Sequence, residues 1–215
     1  MRQGDTVDAG ALAVPLCAID AERAAAVVEG ALALRSLERT VEEVLLPALV
    51  YIQRRHGPDS VEWAFAASWV DEWILWARRL ALHPARPIRL LVGDATRGAH
   101  SLEAIRAHAL QLFCTRAGAQ VLTLPVRAPK GLARAVALYA PDAVAIACGS
   151  HGDHDAERWA SAARTAAADA PLALFPSSTT STGRIPEARL LSSSPLAAHT
   201  QLLRLADGEP VAQAG

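Results

Sequence analysis

Two imidazoles and a carboxylate fall within six residues in Gly149-Ser150-His151-Gly152-Asp153-His154. Imidazole nitrogens ligate transition metals and haem-type iron, and the flanking glycines let a backbone approach a ligand closely. His151 and His154 alone leave a metal short of donors, so a zinc site would need a third, such as His100 or Asp94. The same spacing suits a solvated turn in which Asp153 or Asp155 caps a helix starting at Ala156, and both readings stand. A second segment, Pro176-Ser177-Ser178-Thr179-Thr180-Ser181-Thr182-Gly183, concentrates hydroxyls. It could hydrogen-bond a phosphate or an amide-bearing ligand edge through Ser177 and its neighbours, or simply form a flexible loop.

Flat apolar surface is the other chemical resource. Phe65, Trp69, Trp73, Trp76 and Leu80 recur at helical spacing and make one continuous stripe. Aromatic faces of this kind stack on a planar macrocycle or fill a bundle core. Phe65 and Trp69 are the candidates for ligand contact, while Trp63, on a neighbouring face, suits a contact with a second copy or another domain. Cys17, Cys114 and Cys148 are odd in number, far apart and without paired metal spacing, which reads as reduced thiols in apolar surroundings. Familiar enzyme signatures are absent: there is no G-x-S-x-G, no H-E-x-x-H and no paired carboxylates, and Ser150 next to His151 does not make a triad. No catalytic residue is assigned. A nucleoside triphosphate or dinucleotide is disfavoured because no glycine-rich phosphate fingerprint follows the first strand.

The elements that would position these groups change character part-way along the chain. Up to His83 the apolar period is helical. Asp20 can cap a helix to about Leu34, Thr40-Val41-Glu42-Glu43 resembles a capping box, and Gly57-Pro58 ends the helix that follows it. Asp59 or Ser60 then caps a long fourth helix from Val61 to about Leu82, and short turns favour an antiparallel four-helix bundle. Pro84-Ala85-Arg86-Pro87 forces extended chain. Beyond it, strands at residues 88–93, 121–125, 143–148, 172–175 and 188–191 alternate with helices at 102–117, 130–139, 156–168 and 195–205. That alternation predicts an α/β fold with a doubly wound, parallel, five-stranded sheet of the flavodoxin or Rossmann-like kind. Ligands of such sheets sit at the carboxyl ends of the strands, which selects Asp94, Thr96, His100, Gly149, Ser150, His151 and Ser177. The first half of the fourth helix is expected to look down on that edge.

Composition narrows the class further. With 215 residues the chain can bury a sizeable core, and 52% hydrophobic residues without an 18-residue apolar run exclude a helical membrane span. The start, Met1-Arg2-Gln3-Gly4-Asp5, lacks a secretory profile, so a cytoplasmic protein is expected. A net charge of -1 and no Lys/Arg stripe argue against direct nucleic-acid binding. Abundant alanine and an arginine-over-lysine bias suit a bacterial source with a GC-rich genome.

The phrases Leu46-Pro47-Ala48-Leu49, Gly57, Ser60-Val61 and Ala67-Ser68, followed by Pro141-Asp142-Ala143-Val144-Ala145-Ile146, occur in an order that resembles the cobalamin-binding module. This module is found in methionine synthase, corrinoid methyl carriers and cobalamin-dependent light-sensing regulators, and the resemblance spans residues 9–205. It implies a helical-bundle cap over residues 9–83 and a Rossmann-like cobalamin-binding-type domain over 87–206, holding cobalamin or another tetrapyrrole. In that family a D-x-H-x-x-G loop after the first strand supplies the histidine below cobalt. Here Thr96 stands in the histidine's place and Ala99 in the glycine's, which leaves His100 as the nearby metal candidate or as an exposed histidine at a helix start. Ala147-Cys148-Gly149 replaces the family's Ser-x-Leu, and Phe175-Pro176 the Gly-Gly pair that makes room for the nucleotide tail. Ala64-Phe65 and Arg54 replace the Glu-His pair and the tryptophan of the light-sensing relatives, so adenosylcobalamin photochemistry is not implied.

The reading that follows is a sensor or regulatory module of the cobalamin-binding type, with altered tetrapyrrole binding or none. It would act as a transcriptional co-regulator through a protein partner, such as a DNA-binding regulator, and self-association is compatible with it. The alternatives are a corrinoid carrier serving a methyltransferase and a ligand-free interaction module with Phe175 plugging its cavity.

Overall fold

The computed structural model describes residues 3–81, 87–96, 100–126, 132–148, 153–176, 185 and 188–209. The chain divides into two compact units, Met1–Ala77 and Arg78–Gly215.

The first unit is helical: α1 (Gln3–Cys17), α2 (Ala21–Leu34), α3 (Leu37–Thr40), a π-helical turn (Val41–Leu45), α4 (Leu46–His56) and α5 (Val61–Arg79), whose last turn crosses the unit boundary. Asp20 caps α2 as expected, accepting from the Arg23 backbone N–H at 3.0 Å. The capping box expected at Thr40 is not formed. Ser36 is the cap, accepting from the Arg39 N–H at 3.2 Å, and Thr40 lies inside the helix, donating its hydroxyl to the Ser36 carbonyl at 3.0 Å. The helix therefore starts one turn earlier than the box implies.

Residues 37–56 then run on without a break in αR geometry, and the π turn between α3 and α4 has a covalent cause. Pro47 has no N–H to give to the carbonyl four residues back, and its ring crowds that carbonyl. The turn widens in response, and the Leu46 N–H reaches the Val41 carbonyl five residues back. Gly57, at φ 85°, takes the left-handed step that ends α4. Ser60 opens α5 by accepting from the Trp63 N–H at 3.1 Å.

The buried side of α5 is not the aromatic stripe. Trp63, Ala66, Ala67, Val70, Asp71, Ile74 and Ala77 are buried, whereas Phe65, Trp69 and Trp73 are half-buried and Trp76 is 58% exposed. Trp63, 6% exposed, offers no face to a second copy.

The second unit is the expected α/β fold: β1 (Arg89–Ala95), α6 (Leu102–Arg116), β2 (Gln120–Pro125), α7 (Leu132–Tyr139), β3 (Ala143–Cys148), α8 (Asp153–Ala166), β4 (Leu172–Phe175), β5 (Arg189–Leu190) and α9 (Pro195–Ala206). All pairings are parallel, in the order β2-β1-β3-β4-β5. Alternate strand residues feed two apolar layers, as a parallel sheet covered on both faces requires. Leu90, Val92, Ala145, Ala173 and Phe175 pack with Leu110, Cys114, Leu202 and Leu205 of α6 and α9. Leu91, Val144, Ile146 and Leu174 pack with Val136, Trp159 and Ala163 of α7 and α8. Asp142 pins the start of β1, its carboxylate accepting from the Arg89 N–H at 2.7 Å while its own N–H donates to the Arg89 carbonyl at 2.8 Å.

Candidate functional site

The strand order creates the site. The chain leaves β1 through α6 on one face and leaves β3 through α8 on the other. β1 and β3 are neighbours, with Ala95 level with Cys148. The helices that follow them cover opposite faces, and it is beyond the carboxyl ends of strands at such a point that doubly wound sheets take ligands.

Asp94 and Thr96 lie at the carboxyl end of β1, both half-buried. One oxygen, Asp94 Oδ1, accepts from the Thr96 backbone N–H at 2.9 Å and from the Thr96 hydroxyl at 2.6 Å. The Asp94 carbonyl also accepts from the Val126 N–H at 2.9 Å, which ties the β1 and β2 ends together. The aspartate is thus spent on shaping its own loop, and Thr96 presents an oxygen whose proton is committed to a carboxylate. His100 is exposed just before α6, which Ser101 caps by accepting from the Ala104 N–H at 3.1 Å.

Gly149, Ser150, His151 and Ser177 lie outside the described residues, as do Gly152 and the hydroxyl run at 178–182. Helix α8 begins at Asp153, three residues before the start at Ala156 expected from the sequence, so His154 belongs to its first turn. Phe65 and Trp69 lie on α5 of the helical unit. Among the described residues, no group of three or more His, Cys, Asp or Glu side chains is placed to hold a metal ion.

Two bulky rings fill the layers around the sheet. Trp159 of α8 is buried over β1, so close that a Cβ at Gly93 would lie 2.9 Å from its ring carbons. Gly93 is therefore a close-approach glycine that admits an indole. Phe175, at the end of β4, is buried in the layer shared with α6 and α9.

One polar cluster in this unit escaped the sequence reading. Arg78 donates to the Gln111 side-chain carbonyl of α6 and, at 3.3 Å, to the Val121 backbone carbonyl. Thr123 donates its hydroxyl to the same Gln111 oxygen at 3.0 Å. Gln111 is buried, and its Nε2 has no hydrogen-bond partner among the described residues. Two donors on one oxygen fix the orientation of the amide. Burial pushes the Arg78 guanidinium below its ordinary range. The available signal was a glutamine in the apolar run from Ala107 to Cys114.

The fold is that of a doubly wound parallel α/β unit accompanied by a helical unit. No protein-family model matches the chain, and no curated protein does. Among solved structures, the crystal structure of a cobalamin-binding protein from Desulfitobacterium hafniense DCB-2 is similar at 13% sequence identity and a TM-score of 0.43, over 91% of this chain and 97% of that one.

Proposed function

We propose that the chain is a ligand-binding regulatory module of the cobalamin-binding-domain type, taking a corrinoid or related tetrapyrrole at the carboxyl edge of its sheet and acting through a protein partner. The observation that carries this reading is the switch point between β1 and β3, with the Asp94–Thr96 turn at its rim. The order of phrases described above names the ligand class.

Thr96 does not fit the role of the lower cobalt ligand. Thr96 occupies the ligand's place in the sequence, and its hydroxyl is engaged with Asp94. The proposal is therefore of a macrocycle gripped by its ring and edges, with Asp94, Thr96, Gly149, Ser150, His151 and Ser177 as edge contacts and His100 as the candidate metal ligand. A ligand-free interaction module is the second reading, favoured by Phe175 filling the core at the end of β4.

The test is an absorption spectrum of the full chain after incubation with hydroxocobalamin, haem or biliverdin, followed by gel filtration. A retained corrinoid band is expected, and His100→Ala is expected to shift it while Thr96→His strengthens retention. If none of the three chromophores is retained, the regulatory-ligand reading fails and the interaction module stands.

A further inference from the structure

Cys17 closes α1, His56 closes α4 and Glu62 lies in the first turn of α5. The three side chains meet. Cys17 Sγ is 3.6 Å from His56 Nε2, and His56 Nδ1 is 3.7 Å from Glu62 Oε1. The two contacts engage opposite nitrogens of one ring. A carboxylate facing Nδ1 favours the tautomer with its proton there, which leaves the Nε2 lone pair toward sulfur. This is the order of groups by which a thiol passes its proton to an imidazole as it attacks.

The convergence is built by the chain around it. Gly57 reverses direction directly after His56, and the Ser60 hydroxyl donates to the Gly57 carbonyl at 2.9 Å while accepting from the Trp63 N–H at 3.1 Å. The short segment between His56 and Glu62 is thereby held in one shape. The cluster is open to reagents: Cys17 is half-buried, and the His56 and Glu62 side chains are 26% and 36% exposed.

We propose that Cys17, His56 and Glu62 form a thiol–imidazole–carboxylate site in which Cys17 is the nucleophile, His56 its base and Glu62 the positioning residue, and that its substrate is a small disulfide. The step is thiol–disulfide exchange. The Cys17 sulfur attacks one sulfur of the disulfide, a new S–S bond forms, the old one breaks, and its electron pair leaves on the departing sulfur. The Cys17 proton passes to His56 and from there to the departing thiolate, so a thiol is released and no other oxidant is consumed. Cys17 ends as a mixed disulfide.

Burial, and secondarily Glu62, push the Cys17 thiol above its ordinary range, opposed by Arg55. Cys17 thus rests as a thiol at neutral pH, which is the condition under which a neighbouring base matters. Cys114 is 1% exposed and pushed up to about 12 by burial, so it does not compete. Cys148, half-buried at the end of β3, is the internal reference.

The experiment treats the full native chain with glutathione disulfide and follows each cysteine by mass spectrometry across pH. Faster adduct formation at Cys17 than at Cys148 is expected. His56→Gln is expected to slow Cys17 about tenfold at neutral pH. Glu62→Gln keeps the base and is expected to move the pH at which the Cys17 rate is half-maximal, which a purely structural glutamate would not do. An unchanged Cys17 rate in His56→Gln, or a Cys17 that reacts only after denaturation, overturns the assignment. Should His56→Gln fail to fold, the Glu62→Gln midpoint decides, and an unmoved midpoint is equally fatal.

Discussion

Gly93 and Trp159 show how narrowly single side chains are fitted in the sheet layers. A methyl group at Gly93 would sit 2.9 Å from the indole, inside contact distance. Gly93→Ala is expected to destabilise the protein by about 1–3 kcal/mol, and Trp159→Leu in the same chain to recover part of that loss by making room. Chemical denaturation of the two single variants and the double variant measures the coupling. Cys114 carries a pH signature. Its thiol ionises near 9.0 when exposed and at about 12 when buried in the native state. Between those values the unfolded chain holds fewer protons than the native one, so this contribution to stability is complete below pH 9 and declines as pH rises through the window. The slope approaches about 1.4 kcal/mol per pH unit. Unfolding midpoints of Cys114→Ala from neutral to alkaline pH should decline less steeply than those of the unaltered chain, whatever the variant's absolute stability.

Secondary structure tested the sequence more severely than residue types did. The strands were legible because short apolar runs sit between turn residues, and Asp20, Gly57 and Gly118 mark helix ends through chemistry that needs no tertiary context. Thr40 misled because a threonine followed by glutamates satisfies the capping-box pattern locally, while Ser36 one turn earlier, with Arg39 three residues on, offers only a plain N-cap; the continuation of the helix through both decides. Ser36→Ala should therefore cost about 1 kcal/mol of stability as a lost cap, read as a lower thermal midpoint with unchanged helical signal. Trp63, read as a contact for a second copy or another domain, is buried, while Trp76 of the aromatic stripe is exposed, a split that helical spacing alone does not reveal. The candidate site was legible only as strand ends. The Asp94–Thr96 turn, the indole over Gly93 and the meeting of Cys17, His56 and Glu62 all depend on distances that residue order does not encode.

For the molecule as a whole, charge and ligand linkage give the measurable consequences. A net charge of -1 leaves little repulsion between copies at neutral pH, and the composition places the isoelectric point at about 6.7. Solubility is expected to pass through a minimum at about pH 6–7, visible as a maximum in light scattering. A corrinoid that binds only the native state should raise the unfolding free energy by about 2.7 kcal/mol at a free concentration a hundredfold above its dissociation constant, and differential scanning calorimetry with hydroxocobalamin measures this directly. None of the described helices is long and apolar enough to cross a membrane.

The two margins of the sheet bear on how such a weakly charged chain avoids sticking to itself. β5 consists of Arg189 and Leu190, both exposed, and β2 finishes at Pro125. A two-residue margin gives an incoming strand almost no ladder to join, a cation on it penalises close approach, and proline has no N–H with which to extend the other side. Copies crowded together near neutrality should therefore precipitate as amorphous, redissolvable material rather than zip into fibrils.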